Sequence, residues 1–330
     1  MRLHQPGPLT TDRLRADEVS EPAAAPGQLV MRVSACGVCR TDLQIASGDL
    51  AARRLPITLG HQAVGRIVEI GPDVAGWAIG DRIGAYWLAR ACGHCRFCRS
   101  GRENLCTEAE FTGWDRHGGF AEFMSVEAGV AVRVPGAMSD IQAAPLLCGG
   151  VIGYRALRRA HVEPGDRVGL FGFGASALCA IQVARHWGCK VYVCTRSTDE
   201  QQRARELGAV WAGGYDDPCP VPLDAAVTFA PVGWVVTRAL AALDRGATVA
   251  VNAIHLDEIP AFDYADLWWE RSIASVANVT HADAQEFLAL AGEIPIATSV
   301  DVFALGDANA ALTALEAGTV RGAAVLAIDA

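Results

Sequence analysis

Lysine is nearly missing from this chain of 330 residues: of its 28 basic residues only Lys190 is a lysine, and all the others are arginine. Arginine stays protonated, which argues against Schiff-base and lysine general-base chemistry, and no Tyr-x-x-x-Lys pair is present for acid–base work. Positive charge is scarce overall, because acidic residues outnumber basic ones 37 to 28 and the net charge is −9. A nucleic-acid partner is therefore not expected. Long apolar runs are lacking too. The longest stretch without a charged residue, Val168 to Ala184, has 17 residues, but Gly169, Gly172 and Gly174 interrupt it and its pattern changes midway from strand-like to helix-like. It reads as a buried strand followed by a helix, with no membrane partner. The opening Met1-Arg-Leu-His-Gln-Pro-Gly-Pro8 has no apolar secretory core, so a cytoplasmic chain with reduced thiols is expected.

What is present fits an α/β protein of two domains, since 51% of residues are apolar and 20% charged. From about Gln28 to Arg133 short strands alternate with turns, among them Leu29–Val33, Ala63–Ile70 and Asp81–Tyr86. After Cys148 strands and helices alternate: Arg167–Phe171, a helix near Ala175–Trp187 ending at Gly188, Lys190–Cys194, a helix near Asp199–Leu207 ending at Gly208, then Ala225–Phe229 and Ala247–Val251. That alternation predicts a doubly wound parallel sheet. A last helix, Gly306–Ala317, and strand, Ala323–Ile328, are expected to return to the first lobe. The expected boundaries are residues 1–150 with a return segment 295–330, and residues 151–294.

Four of the 11 cysteines, Cys92, Cys95, Cys98 and Cys106, follow a C-x2-C-x2-C-x7-C spacing within one short polar segment. Disulfides would need an oxidising compartment, and the spacing matches neither common ferredoxin run. Four thiolates close a tetrahedral shell around Zn²⁺ and leave no position for substrate, so this ion would hold a loop.

Val168-Gly-Leu-Phe-Gly172-Phe-Gly174-Ala175-Ser176-Ala177 lies where a strand gives way to a helix, the place at which a dinucleotide pyrophosphate needs close backbone approach and free N–H donors. About 20 residues further on, where a ribose-reading side chain belongs, the next strand ends at Thr195-Arg196-Ser197. No acid stands in that triplet. Arg196 between two hydroxyls suits a 2′-phosphate, which predicts NADP(H) over NAD(H).

Three further segments, Ala35-Cys36-Gly-Val-Cys39-Arg40-Thr41-Asp42, Gly60-His61-Gln62-Ala-Val-Gly65 and Pro145-Leu-Leu-Cys148, offer two thiolates and an imidazole from distant positions. Three protein ligands with one open position characterise a catalytic zinc, although spacing alone leaves the set open. With these motifs in this order, nearly the whole chain resembles the zinc-dependent medium-chain alcohol dehydrogenases. The resemblance implies a GroES-like catalytic domain joined to a Rossmann domain, with the active site in the cleft between them. It implies that Cys39, His61 and Cys148 hold a catalytic zinc while Cys36 does not, and that Cys92, Cys95, Cys98 and Cys106 hold a second ion. Thr41 matches the proton-passing hydroxyl, Asp42 a partner of His61, and Arg40 a pyrophosphate contact, with Ile152 and Ile254 at the nicotinamide. Homodimers or homotetramers are implied as well.

Three departures stand out. Gln44 replaces a frequent relay histidine, Gln62 the usual glutamate beside the ligand histidine, and Ile152 a frequent threonine. Trp87, Trp114, Trp268 and Trp269 point to an apolar or aromatic substrate. The expected activity is hydride transfer between NADP(H) and a primary or secondary alcohol, aldehyde or ketone. The alternatives are reduction of an activated C=C or C=N bond on the same fold, and a non-catalytic dinucleotide binder with structural zinc only. Cys179, Cys189, Cys194 and Cys219 belong to no motif and read as buried thiols.

Overall fold

The computed structural model describes residues 1–9 and 12–328. Two compact units are present, one of residues 1–148 with 278–330 and one of residues 149–277.

The first unit is built on Gln28–Val38, an eleven-residue strand whose interior is mostly buried and rich in valine. It pairs antiparallel with Ala63–Ile70, Phe123–Glu127 and Ala323–Ala327. The last of these carries Val300–Ala304 parallel beside it. Gly65 is required at the first pairing, because a Cβ there would lie 2.0 Å from the carbonyl oxygen of Arg32. Leu29, Met31, Val33, Ile67, Ile83, Leu312 and Leu326 pack into one core, so the end of the chain completes the hydrophobic interior of its beginning.

In the second unit six parallel strands follow the doubly wound order 3-2-1-4-5-6: Trp211–Gly213, Lys190–Cys194, Arg167–Phe171, Leu223–Thr228, Leu243–Val251 and Ser272–Ser275. Consecutive residues such as Val168 to Leu170 and Val191 to Val193 are all buried, as a strand covered on both faces demands. The order reverses between Arg167–Phe171 and Leu223–Thr228, and a crevice at the carboxyl ends of such strands is where dinucleotides bind.

The return to the first unit begins at Asn278, earlier than the expected residue 295. Helix His281–Glu293 belongs to the first unit because Glu103 accepts from the His281 amide at 2.6 Å and the Asn278 side chain reaches the Asn104 carbonyl at 3.4 Å. Among the described residues, four helices of eight or more residues escape the sequence pattern: Arg40–Ser47, His281–Glu293, Gly149–Arg159 and Gly233–Ala241. The last two start on glycine, which masks helical propensity. Gly153 is nonetheless needed, since a Cβ would stand 2.7 Å from the Ser176 carbonyl oxygen on the neighbouring helix Ala175–His186. Among the described residues, no helix is long and apolar enough to cross a membrane.

Candidate active site

Cys39 leaves the central strand in extended geometry and caps helix Arg40–Ser47, where the Thr41 amide donates to its Sγ at 3.4 Å. A helix N-terminus favours the thiolate. Asp42 is fully buried; its Oδ2 accepts from the Cys39 amide at 2.9 Å and its Oδ1 from the Gly60 amide at 3.0 Å. One carboxylate thereby ties the strand that carries Cys39 to the loop that carries His61. The expected bond from His61 is looser than the sequence suggests: Nδ1 lies 3.4 Å from Asp42 Oδ1, at ion-pair distance but outside hydrogen-bond alignment. The other ring nitrogen, Nε2, is 3.2 Å from Cys39 Sγ. Cys148 follows the buried turn Ala144–Leu147, and the ligand atoms of Cys39, His61 and Cys148 all lie within 4.8 Å of one another.

The electrostatics match that geometry. A hydrogen bond from Cys148 holds the Cys39 thiol well below its usual range, and the same bond pushes Cys148 well above it. Burial pulls the His61 imidazole down, but the Cys39 thiolate and the Asp42 carboxylate together carry it well above the ordinary histidine range. Burial raises Asp42, with His61 opposing. Two sulfurs and an imidazole nitrogen, gathered around a buried carboxylate, form a donor set that fits a borderline-soft divalent ion. By contrast, Cys36 is wholly buried in the core and its thiol is pushed far up by desolvation.

One side of this group is aromatic. Trp87 meets the His61 ring edge-on at 5.0 Å and stacks on Phe111 at 5.0 Å and Trp114 at 5.9 Å. The Arg53 guanidinium lies 3.6 Å over Trp114. Phe111 carries no motif and is not marked by the sequence. Trp268 and Trp269 are in the second unit and half exposed, with the Arg245 guanidinium 4.0 Å over Trp269.

The four-cysteine lobe also closes. The sulfurs of Cys92, Cys95, Cys98 and Cys106 lie within 4.8 Å of one another. Amide donors surround them: Cys95 to Cys92 at 3.4 Å, Cys98 to Cys95 at 3.5 Å, and Glu108 and Cys92 to Cys106 at 3.4 and 3.5 Å. Such donors favour thiolate, and the bond from the Cys98 amide brings the Cys95 thiol down to about 7. The residues fit a closed tetrathiolate site.

In the second unit, Gly172 adopts φ +92° at the end of Arg167–Phe171, and a Cβ there would lie 2.8 Å from the Ala230 amide nitrogen. Gly174 caps helix Ala175–His186, with Ser176 in its first turn and Ala177 fully buried. Thr195 is buried, Arg196 is exposed and forms no ion pair among the described residues, and Ser197 caps helix Thr198–Glu206. One residue that the sequence reading missed stands here: Glu200, whose carboxylate accepts from the Thr195 hydroxyl. Ile152 is half-buried on its helix and Ile254 is 71% exposed on a loop. Arg40, exposed on the first turn after Cys39, belongs to the first unit. Of the four thiols without a motif, Cys179, Cys189 and Cys194 are buried as expected, whereas Cys219 is only half-buried.

Residues 25–136 match the alcohol dehydrogenase GroES-like domain. The chain is 45% identical to the probable alcohol dehydrogenase AdhA of Mycobacterium tuberculosis (strain CDC 1551 / Oshkosh), over 99% of this chain and 96% of that protein. Among solved structures it superposes on AibC with a TM-score of 0.91 at 29% identity, covering 100% of this chain and 95% of that one. It superposes on the cobalt- and zinc-bound thermostable alcohol dehydrogenase of Pyrobaculum aerophilum with a TM-score of 0.87 at 25% identity, covering 99% of both chains. Together with the convergence of Cys39, His61 and Cys148, these likenesses establish that the chain belongs to the zinc-type medium-chain alcohol dehydrogenase family and is an oxidoreductase of alcohols and aldehydes.

Proposed function

We propose that this enzyme uses one catalytic and one structural zinc and transfers a hydride between NADP(H) and a primary or secondary alcohol, aldehyde or ketone. The single observation that carries this reading is the meeting of the Cys39, His61 and Cys148 ligand atoms within 4.8 Å, a three-donor set that leaves room for an oxygen ligand. The Cys92, Cys95, Cys98 and Cys106 lobe holds the second ion. When bound, the catalytic zinc supplies a Lewis acid that acidifies an alcohol and polarises a carbonyl.

The chain's own residues do the rest. Thr41, buried on the first turn beside Cys39, receives the hydroxyl proton of the substrate. Gln44, one turn further along, cannot titrate, so the proton leaves through water or a cofactor ribose hydroxyl. Gln62, buried next to His61, takes away the negative charge that a glutamate would add. Trp87, Phe111 and Trp114 exclude water and favour an apolar or aromatic substrate. On the cofactor side, Gly172, Gly174, Ala175, Ser176 and Ala177 cradle the pyrophosphate with Arg40, Ile152 and Ile254 flank the nicotinamide, and Arg196 with Ser197 reads the 2′-phosphate while the buried Thr195 holds the strand end beneath them. The same reading carries a cytoplasmic homodimer or homotetramer, as the family implies.

Two outcomes follow. Asp42→Ala strips the Cys39 and Gly60 amides of their acceptor, so zinc affinity at the three-donor site should fall about 10- to 100-fold in chelator competition. An unchanged affinity would confine Asp42 to capping its helix. Arg196→Ala should lower the NADPH to NADH ratio of kcat/KM by about tenfold or more, as loss of a charge-assisted contact to phosphate predicts. A ratio that stays put would remove Arg196 from cofactor reading.

A further inference from the structure

The turn that follows strand Lys190–Cys194 carries two opposite charges, of which the strand-end position alone reveals one. Arg196 points out with no ion-pair partner among the described residues, while Glu200 lies one turn into the next helix and is folded back onto the strand end. The fold-back is built into the backbone. Ser197 Oγ accepts from the Glu200 amide at 3.3 Å, the Gln201 side chain donates to the Thr195 carbonyl at 2.9 Å, and the Thr195 hydroxyl donates to the Glu200 carboxylate. Thr195 is only 2% exposed, so this hydroxyl is committed and is not free to donate to a phosphate. Tyr215 reports the same neighbourhood: burial pushes its hydroxyl up to about 12, with the Glu200 charge adding to the shift and the Arg196 charge opposing it.

We propose that Glu200 is a specificity-determining residue that opposes Arg196: its carboxylate penalises the 2′-phosphate of NADP(H) and leaves the unmodified ribose of NAD(H) untouched. The proposal rests on the reading that this turn receives the adenosine ribose. A dianionic phosphate brought within several ångströms of a fixed carboxylate is repelled, and a neutral hydroxyl is not. The expected parent enzyme therefore favours NADP(H) less strongly than Arg196 alone would make it.

Binding of 2′,5′-ADP and 5′-AMP, followed by titration calorimetry at low ionic strength, tests this without turnover. Glu200→Gln keeps an acceptor for Thr195 and removes the charge. It should tighten 2′,5′-ADP by about tenfold and change 5′-AMP by less than about twofold, the size expected for one unit charge facing a phosphate through partly solvated space. Glu200→Ala should move 2′,5′-ADP in the same direction, because charge and not shape is responsible. If neither variant tightens 2′,5′-ADP while Arg196→Ala weakens it, the role of Glu200 is overturned and the NADP(H) reading stands. If both Glu200 variants tighten 2′,5′-ADP while Arg196→Ala has no effect, Glu200 is upheld and Arg196 as the phosphate reader is overturned.

Discussion

His61→Ala should lower kcat/KM for alcohol oxidation about a thousandfold or more, because a metal's contribution of several kcal/mol to the transition state is lost and each 1.36 kcal/mol is a factor of ten. His61 is the one neutral donor of its set, and it sits in a place that tolerates no replacement by solvent: it is 1% exposed, with Cys39 Sγ on one nitrogen and Asp42 beside the other. Removing it leaves two sulfurs and a buried carboxylate with no imidazole between them, a concentration of negative charge that burial penalises. Metal content should therefore fall by one ion per chain while the four-cysteine lobe keeps its own. The stacked Trp87, Phe111 and Trp114 should stay in place, since they also pack on one another. Steady-state kinetics and metal analysis on the same preparation check this. A variant that loses activity while retaining both ions would make His61 a proton-handling group and not a ligand.

Cys95→Ala is expected to have the second large effect, on stability and not on chemistry. The lobe has almost no hydrophobic interior: it folds as two short turns, Cys98–Ser100 and Glu103–Leu105, with only Asn104 buried within them. A closed thiolate shell is what can hold such a segment, and binding energy at a structural zinc is folding energy. The lobe also anchors the returning chain through Glu103 to the His281 amide and the Asn104 carbonyl to Asn278. Loss of the ion should lower the melting temperature by about 5 °C, which corresponds to about 3–4 kcal/mol in a chain of this size. Activity at low temperature should persist within several-fold. Differential scanning calorimetry of the variant decides the matter; a shift below about 2 °C would show that the lobe closes without metal.

Both predictions rest on residues that the sequence already singles out, and the reason is physical. Metal ligands are few residue types at constrained spacing, so Cys92 to Cys106 announce themselves, and Gly172, at φ +92°, marks a strand-to-helix turn that few other residues could make. The doubly wound unit is equally plain, because apolar runs such as Val168–Phe171 and Val191–Cys194 alternate with helical segments that stop at Gly188 and Gly208. Less could be read where function depends on chain direction in space. Helix Gly149–Arg159 is hidden behind its leading glycines, and the return at Asn278 is fixed by hydrogen bonds to Glu103 and Asn104 that no local pattern encodes. Phe111 reaches His61 only through Trp87. Glu200 is hidden for a similar reason: it lies beyond the strand end, and only the helix cap at Ser197 folds it back onto Thr195.

Two sulfurs and one imidazole are proposed to share an ion in this protein, apart from the ion in the cysteine lobe. Anomalous diffraction from crystals of the enzyme, recorded on both sides of the zinc absorption edge, tests it most directly. Two peaks are predicted per chain, one bounded by Cys39 Sγ, His61 Nε2 and Cys148 Sγ and the other by the sulfurs of Cys92, Cys95, Cys98 and Cys106. A single peak at the four cysteines, with none beside His61 in protein loaded with zinc, would contradict the account.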